Sequence, residues 1–131
     1  MKITLDKSEI EDYFYRSLCN SLGTFEQSGL ELNAKPEDYE AAKESLKAKN
    51  PTNTICYEDV FMEVLRMGKK LYVKDIEGEG DNDSEVSLAD IHERMELVPQ
   101  HNLMDMHEEN DDAITGDCIL QTIFFKEIIF G

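Results

Sequence analysis

An α+β fold is what this sequence predicts: a small antiparallel sheet packed with four to five helices, in one compact domain spanning residues 1–131. Three observations lead there. Ser8 with Glu11, and Ser87 with Asp90, are capping signatures standing before apolar residues at helical spacing. Leu71 to Glu77 reads as a strand, and the glycine-rich loop from Gly78 to Ser84 lets Glu85 to Leu88 return beside it. Finally, 40% apolar and 32% charged residues over 131 positions suit a single folded core and exceed what a disordered chain carries.

The elements follow in order. Ile10, Tyr13, Phe14, Leu18 and Leu22 recur at helical spacing, which predicts a helix from Ser8 to Leu22 ended by Gly23. Pro36 with Glu37 and Asp38 has the form of a first turn, and the thin stripe Tyr39, Ala42, Leu46 makes the second helix mostly solvated before Asn50 and Pro51. The first fifty residues are thus read as helical, and residues 51–131 as sheet plus helices.

The segment Ile55 to Met67 carries two patterns. Tyr57, Val60, Phe61, Val64 and Leu65 fit a helix, whereas Val60, Met62 and Val64 alternate as one face of a strand. The strands that follow favour the second, as the first strand of a meander turning at Gly68. Leu88, Ile91, Met95 and Val98 then form a helix stopped by Pro99. Gln100 to Asp112 is a short acidic stretch containing methionines. Asp117 to Phe130 places Ile119, Leu120, Ile123, Phe124 and Ile128 on one side of a buried C-terminal helix, with Gly131 as its cap.

Charge is the strongest compositional signal. Of a net −16, residues 76–117 contribute −13, with fourteen acids against a single cation, Arg94. Such a field repels phosphate and attracts basic surfaces, so direct nucleic-acid binding and anionic membranes are disfavoured as partners. The amino terminus has no signal-peptide pattern, and Cys118 to Phe130, broken by Lys126 and Glu127, is too short to cross a bilayer. Cys19, Cys56 and Cys118 are odd in number and widely spaced, which suits buried thiols in a reducing cytoplasm.

Candidate chemistry is sparse. Asp75, Glu77, Glu79 and Gly80 match positions one, three, five and six of a calcium loop, but Asn82 and Val86 stand where an apolar residue and a bidentate glutamate belong. A solvated acidic turn fits better. His92, His101 and His107 lie close in sequence, and His101 with Asp105 gives two metal ligands at most, so surface histidines in a field of carboxylates are expected. Met95 is expected in the core, with Met104 and Met106 filling gaps. No nucleophile motif, P-loop or dinucleotide fingerprint is present, so no catalytic residue, metal or cofactor is expected.

The strand Leu71 to Glu77, the following Val86, Ser87, Leu88, Ala89, Asp90, Ile91, and a C-terminal signature resemble those of small acidic proteins of bacterial phages, plasmids and other mobile elements. That signature is Asp112, Asp117, Ile119, Leu120, Gln121, Phe125, Glu127, Ile128, Ile129, Phe130 and Gly131. Lys126 stands where the pattern expects glycine. The resemblance covers about half of the chain and implies a bacterial or phage origin without an activity; Gln121 and Glu127 are either functional or fixed by packing.

The functional expectation is a non-enzymatic acidic interaction protein. Glu77, Glu79, Asp81, Asp83 and Glu85, with Asp90, Glu93 and Glu96, would present a nucleic-acid-like surface to a basic DNA- or RNA-binding partner. Thirteen charges match about 22 Å of duplex at one per roughly 1.7 Å. The competing expectations are a small metal-dependent or hydrolytic enzyme with an unfamiliar site, and a homo-oligomeric structural protein of a mobile element.

Overall fold

The first helix shows how the chain organises itself. Asp6 opens α1 (Lys7–Glu26) with a reciprocal cap: its carboxylate accepts the Glu9 N–H at 2.8 Å, and the Glu9 carboxylate accepts the Asp6 N–H at 3.1 Å. The start therefore lies at Asp6 and not at Ser8. Gly23 does not end the helix either, because Phe25 adds one more fully buried residue to the apolar stripe. The computed structural model describes residues 4–130, so the expected cap at Gly131 lies outside the described residues.

After α1 the chain forms β1 (Leu30–Asn33), α2 (Pro36–Lys49), α3 (Tyr57–Arg66), β2 (Leu71–Asp75), β3 (Ser84–Val86) and α4 (Leu88–Arg94). A 3-10 turn (Met95–Leu97), α5 (Gln100–His107) and α6 (Ala113–Phe125) complete an α+β domain. The three strands lie in the order β1-β2-β3, antiparallel throughout, with Leu32 opposite Val73 and Leu71 opposite Val86. Leu30, Leu32, Leu71, Val73 and Val86 share the face turned to the core.

Helix α6 is the buried axis of the fold. Phe124 meets Phe14 and Phe25 of α1 at ring-centroid distances of 6.3 and 5.8 Å. Higher along the same contact the two backbones approach closely: a Cβ on Gly116 would sit 2.0 Å from Ser21 Oγ and 3.3 Å from Ser17 Cα. Ser21 donates its hydroxyl to Ala113 O at 2.8 Å, closing the crossing with a satisfied polar group.

Five expectations are corrected. Residues 57–66 are a helix, since Val60, Phe61, Met62, Val64 and Leu65 are all buried while Glu58, Asp59, Glu63 and Arg66 fall on one side at helical spacing. Gly68 ends that helix, its own N–H bonding Leu65 O and the Lys69 N–H bonding Val64 O. The strand that pairs with β2 is instead β1, a four-residue element inside the stretch read as helical. Residues 100–107 form α5, where Pro99 fixes the entry and Asn102, Leu103 and Met106 are buried. Finally, α6 begins at Ala113, capped by the Asp112 carboxylate on Thr115 N at 2.9 Å, and ends at Phe125. Ile128 therefore lies beyond the helix and is exposed. Lys126, where the resemblance expects glycine, takes the left-handed conformation with φ 67°.

Candidate functional site

The acidic segment is built around a carboxylate that is itself hidden. Asp75, 2% exposed at the end of β2, accepts the Gly78 N–H and the Asn82 Nδ2 amide, each at 2.8 Å, and its own N–H donates to Asp83 Oδ1 at 2.7 Å. Gly80 N bonds Asp75 O at 2.9 Å. A Cβ on Gly78 would come within 2.2 Å of Asp75 Oδ2, so glycine is required for the backbone to wrap this side chain. Asp75 thus serves as the internal brace of the β2–β3 turn, which leaves Glu77, Glu79, Asp81 and Asp83 exposed around it. Among the described residues, no three His, Cys, Asp or Glu side chains group so as to hold a metal ion.

The other candidate acids lie elsewhere. Glu85 on β3 is exposed and pairs with Lys70 Nζ at 2.9 Å. Asp90 is the reciprocal cap of α4: its carboxylate accepts the Ser87 N–H at 2.9 Å, and that bond holds its carboxyl below the usual range. Glu93 and Glu96 are exposed on α4 and the 3-10 turn. The loop acids precede the three-residue strand β3 and the α4 acids follow it, so about 10 Å of strand lies between the two groups. Charges so spaced on a surface are largely screened from each other at a Debye length of about 8 Å. Arg94 donates Nη1 to Ile123 O at 2.8 Å near the end of α6, and its charge also helps to lower the Asp90 carboxyl.

The histidines do not meet in one place. His92 contacts Glu11 Oε2 at 3.1 Å, while His101 and His107 are exposed on α5. Asp105, four residues after His101, accepts instead from Thr115 Oγ1 at 3.4 Å. Met95 and Met106 are core, and Met104 is exposed. Cys19 and Cys56 are exposed, contrary to the buried reading, because Cys19 falls on the outer face of α1 and Cys56 is the cap residue of α3. Partial covering of the sulfur raises the thiols of the half-buried Cys118 and, although the residue as a whole is exposed, of Cys19 above their ordinary value.

Gln121 and its surroundings carried no signal of role in the sequence beyond the resemblance. It is 1% exposed and clasps the C-terminal tail to α6: Oε1 accepts from Ile129 N and Phe130 N at 2.9 Å each, and Nε2 donates to Phe130 O at 3.1 Å. The same Nε2 donates to Asp117 Oδ2 at 2.7 Å. Burial pushes the Asp117 carboxyl up, and Gln121 opposes the rise. Glu127 is exposed on that tail.

A concavity of about 760 Å³ lies between α1 and α3 under the loop at residues 50–55. Its carboxylates are already engaged. Asp59 accepts the Tyr15 hydroxyl at 2.8 Å and the Cys56 N–H at 3.3 Å, which raises the Tyr15 phenol strongly. Glu11 lies between His92 at 3.1 Å and Arg66 at 4.0 Å, and Asp12 pairs with Arg16 at 3.3 Å. The Tyr15–Asp59, Glu11–Arg66 and Glu11–His92 contacts tie α1 to α3 and α4.

No family model, curated protein or solved structure matches the chain, so its chemistry is read from its own residues. Among the described residues no helix is long and apolar enough to cross a membrane.

Proposed function

We propose that the protein is an acidic interaction protein of the cytoplasm that docks onto a basic DNA- or RNA-binding partner. The observation that carries this reading is the β2–β3 turn: four carboxylates project from a backbone that the buried Asp75 holds in one shape. A preorganised turn loses little entropy on binding, so its charge is available to a partner at low cost. An enzymatic role is less well supported, because the acids of the large groove are engaged by Tyr15, Arg16, Arg66 and His92.

The test compares the native chain with the triple variant Glu77→Gln, Glu79→Gln, Asp81→Asn, both immobilised and exposed to bacterial lysate. Basic nucleic-acid-binding proteins retained by the native chain at about 50 mM salt should elute by about 200 mM and should be absent from the variant. Identical sets on both columns would defeat the proposal.

A further inference from the structure

A second concavity, of about 510 Å³, opens between the end of α1, the edge strand β1 and the helices α2 and α3. Its walls are of two kinds. Tyr39 and Tyr57 each meet Phe61 edge-on, with ring centroids 6.0 and 6.1 Å apart and planes at 74° and 73°, so three aromatic rings set at steep angles share one cavity. Glu26 and Glu31 stand on the same lining, and among the described residues lining it there is no lysine or arginine. Leu22 and Leu32, both 4% exposed, lie at its floor.

The composition is unusual for a surface recess. Tyr57 is 49% exposed at the first turn of α3, a position where a polar residue would cost nothing, and yet its ring stands against Phe61. Its phenol is raised, first by burial and then by the carboxylates of Glu58 and, from across the recess, Glu26. Aromatic faces carry negative potential, so they attract a cation and reject an anion, and the two glutamates act in the same sense. A neutral apolar ligand would gain nothing from the glutamates, and an anion would be repelled by both.

We infer that this recess binds the ammonium group of a lysine side chain presented by a basic protein, its alkyl stem lying on Leu32 and Phe61 and its charge between the Tyr39 and Tyr57 rings and the two glutamates. The inference shares with the proposed function only the sign of the partner. It uses none of the turn acids, and either can fail alone.

The probe is a short uncharged peptide carrying one central lysine, compared with its norleucine analogue, which keeps the stem and removes the ammonium. Titration is followed through the backbone amide resonances of the full chain. The lysine peptide should produce saturable shifts at residues 31–33, 39 and 57–61 and none in the turn at residues 77–83, while the norleucine peptide should produce none. Tyr57→Ala, at an exposed position, should weaken binding about fivefold, equivalent to about 1 kcal/mol. Glu26→Gln with Glu31→Gln, which leaves the aromatic walls intact, should weaken it by a similar factor. The triple turn variant should bind the peptide as the native chain does, which separates this site from the turn. Shifts of equal size with norleucine, or lysine binding indifferent to Tyr57→Ala and to the glutamate pair, would overturn the inference.

Discussion

Replacing Gln121 by leucine keeps the side-chain volume of a buried helical position and removes every hydrogen bond it makes. Three of these hold the tail, to Ile129 N, Phe130 N and Phe130 O, at 2.9, 2.9 and 3.1 Å. At about 0.5–1.5 kcal/mol net each they contribute roughly 2–4 kcal/mol, and the lower end applies because a released tail regains water. The fourth bond is the donor to Asp117 Oδ2, and the other oxygen, Oδ1, is buried with no partner among the described residues. Losing that donor adds about 1–3 kcal/mol for a buried carboxylate left unsolvated. The sum, about 3–4 kcal/mol, corresponds to a fall in Tm of roughly 12 °C for a domain of this size. Phe130 would also lose its edge contact with Phe125 at 6.3 Å. Thermal unfolding followed by circular dichroism reads the shift, and hydrogen exchange reads the tail, where the Ile129 and Phe130 amides should lose protection. In an Asp117→Asn background the same substitution should cost about 1–3 kcal/mol less, because no charge is then stranded. A Gln121→Leu variant that melts within about 4 °C of the native chain, with both amides still protected, would refute the clasp.

Lys126→Gly should raise stability by about 0.5–1 kcal/mol, since φ is 67° at this exposed cap and glycine removes the left-handed penalty; an unchanged denaturation midpoint would contradict it. Gly78→Ala should cost about 1–3 kcal/mol and speed hydrogen exchange across residues 76–83, because the new Cβ would displace the Asp75 carboxylate from its donors. Glu63 is buried, accepts from Lys49 Nζ at 2.8 Å and Ser45 Oγ at 2.7 Å, and has its pKa lowered from 4.5, chiefly by Lys49. A depressed carboxylate stabilises the fold above its ordinary value, and that stability is lost as pH falls through the depressed one. Lys49→Met should therefore cost about 1 kcal/mol at neutral pH, little for a cation this exposed, and nothing once both chains are protonated well below pH 4.5; urea midpoints at pH 7 and pH 3 test it.

The helices that could be read from the sequence are those whose apolar stripe and cap coincide. At α4 the Ser87 hydroxyl and Asp90 carboxylate cap each other's N–H, as the spacing implies, and Ile91 and Met95 are buried. At α1 the stripe was legible but the cap was ambiguous, because Asp6 with Glu9 and Ser8 with Glu11 have equivalent spacing and only packing chooses between them. Residues 57–66 misled for a different reason: Val60, Met62 and Val64 also alternate, and the strands that follow tipped the reading to a meander although Glu58, Asp59, Glu63 and Arg66 mark a polar face at helical spacing. β1 was missed because four residues carry too little pattern, and its place is set by pairing with β2 across forty residues of chain. The length of α6 was misjudged at both ends, since Asp112 caps it so that it starts at Ala113, four residues before Asp117, and Lys126 ends it in a conformation that a lysine does not advertise.

The charge count located the acidic third of the chain, yet a count does not separate carboxylates that build the fold from those left to meet a partner. Asp75, Asp90, Asp111, Asp112 and Asp117 look identical to Glu79 or Asp81 in sequence, and the structure spends each of them internally: as turn brace, helix caps, Arg16 and Asn20 partner, and tail clasp. What distinguishes the two groups is the partner each finds: Asp75, Asp90 and Asp112 accept backbone N–H groups three residues away, and Asp111 and Asp117 accept from the side chains of Arg16, Asn20 and Gln121, whereas Glu77, Glu79, Asp81, Glu93 and Glu96 remain in solvent. The interaction surface proposed for the turn is therefore made by its buried aspartate as much as by its exposed acids: without Asp75 to fix the backbone, the same charges would sample many arrangements, and a partner would have to order them before it could bind.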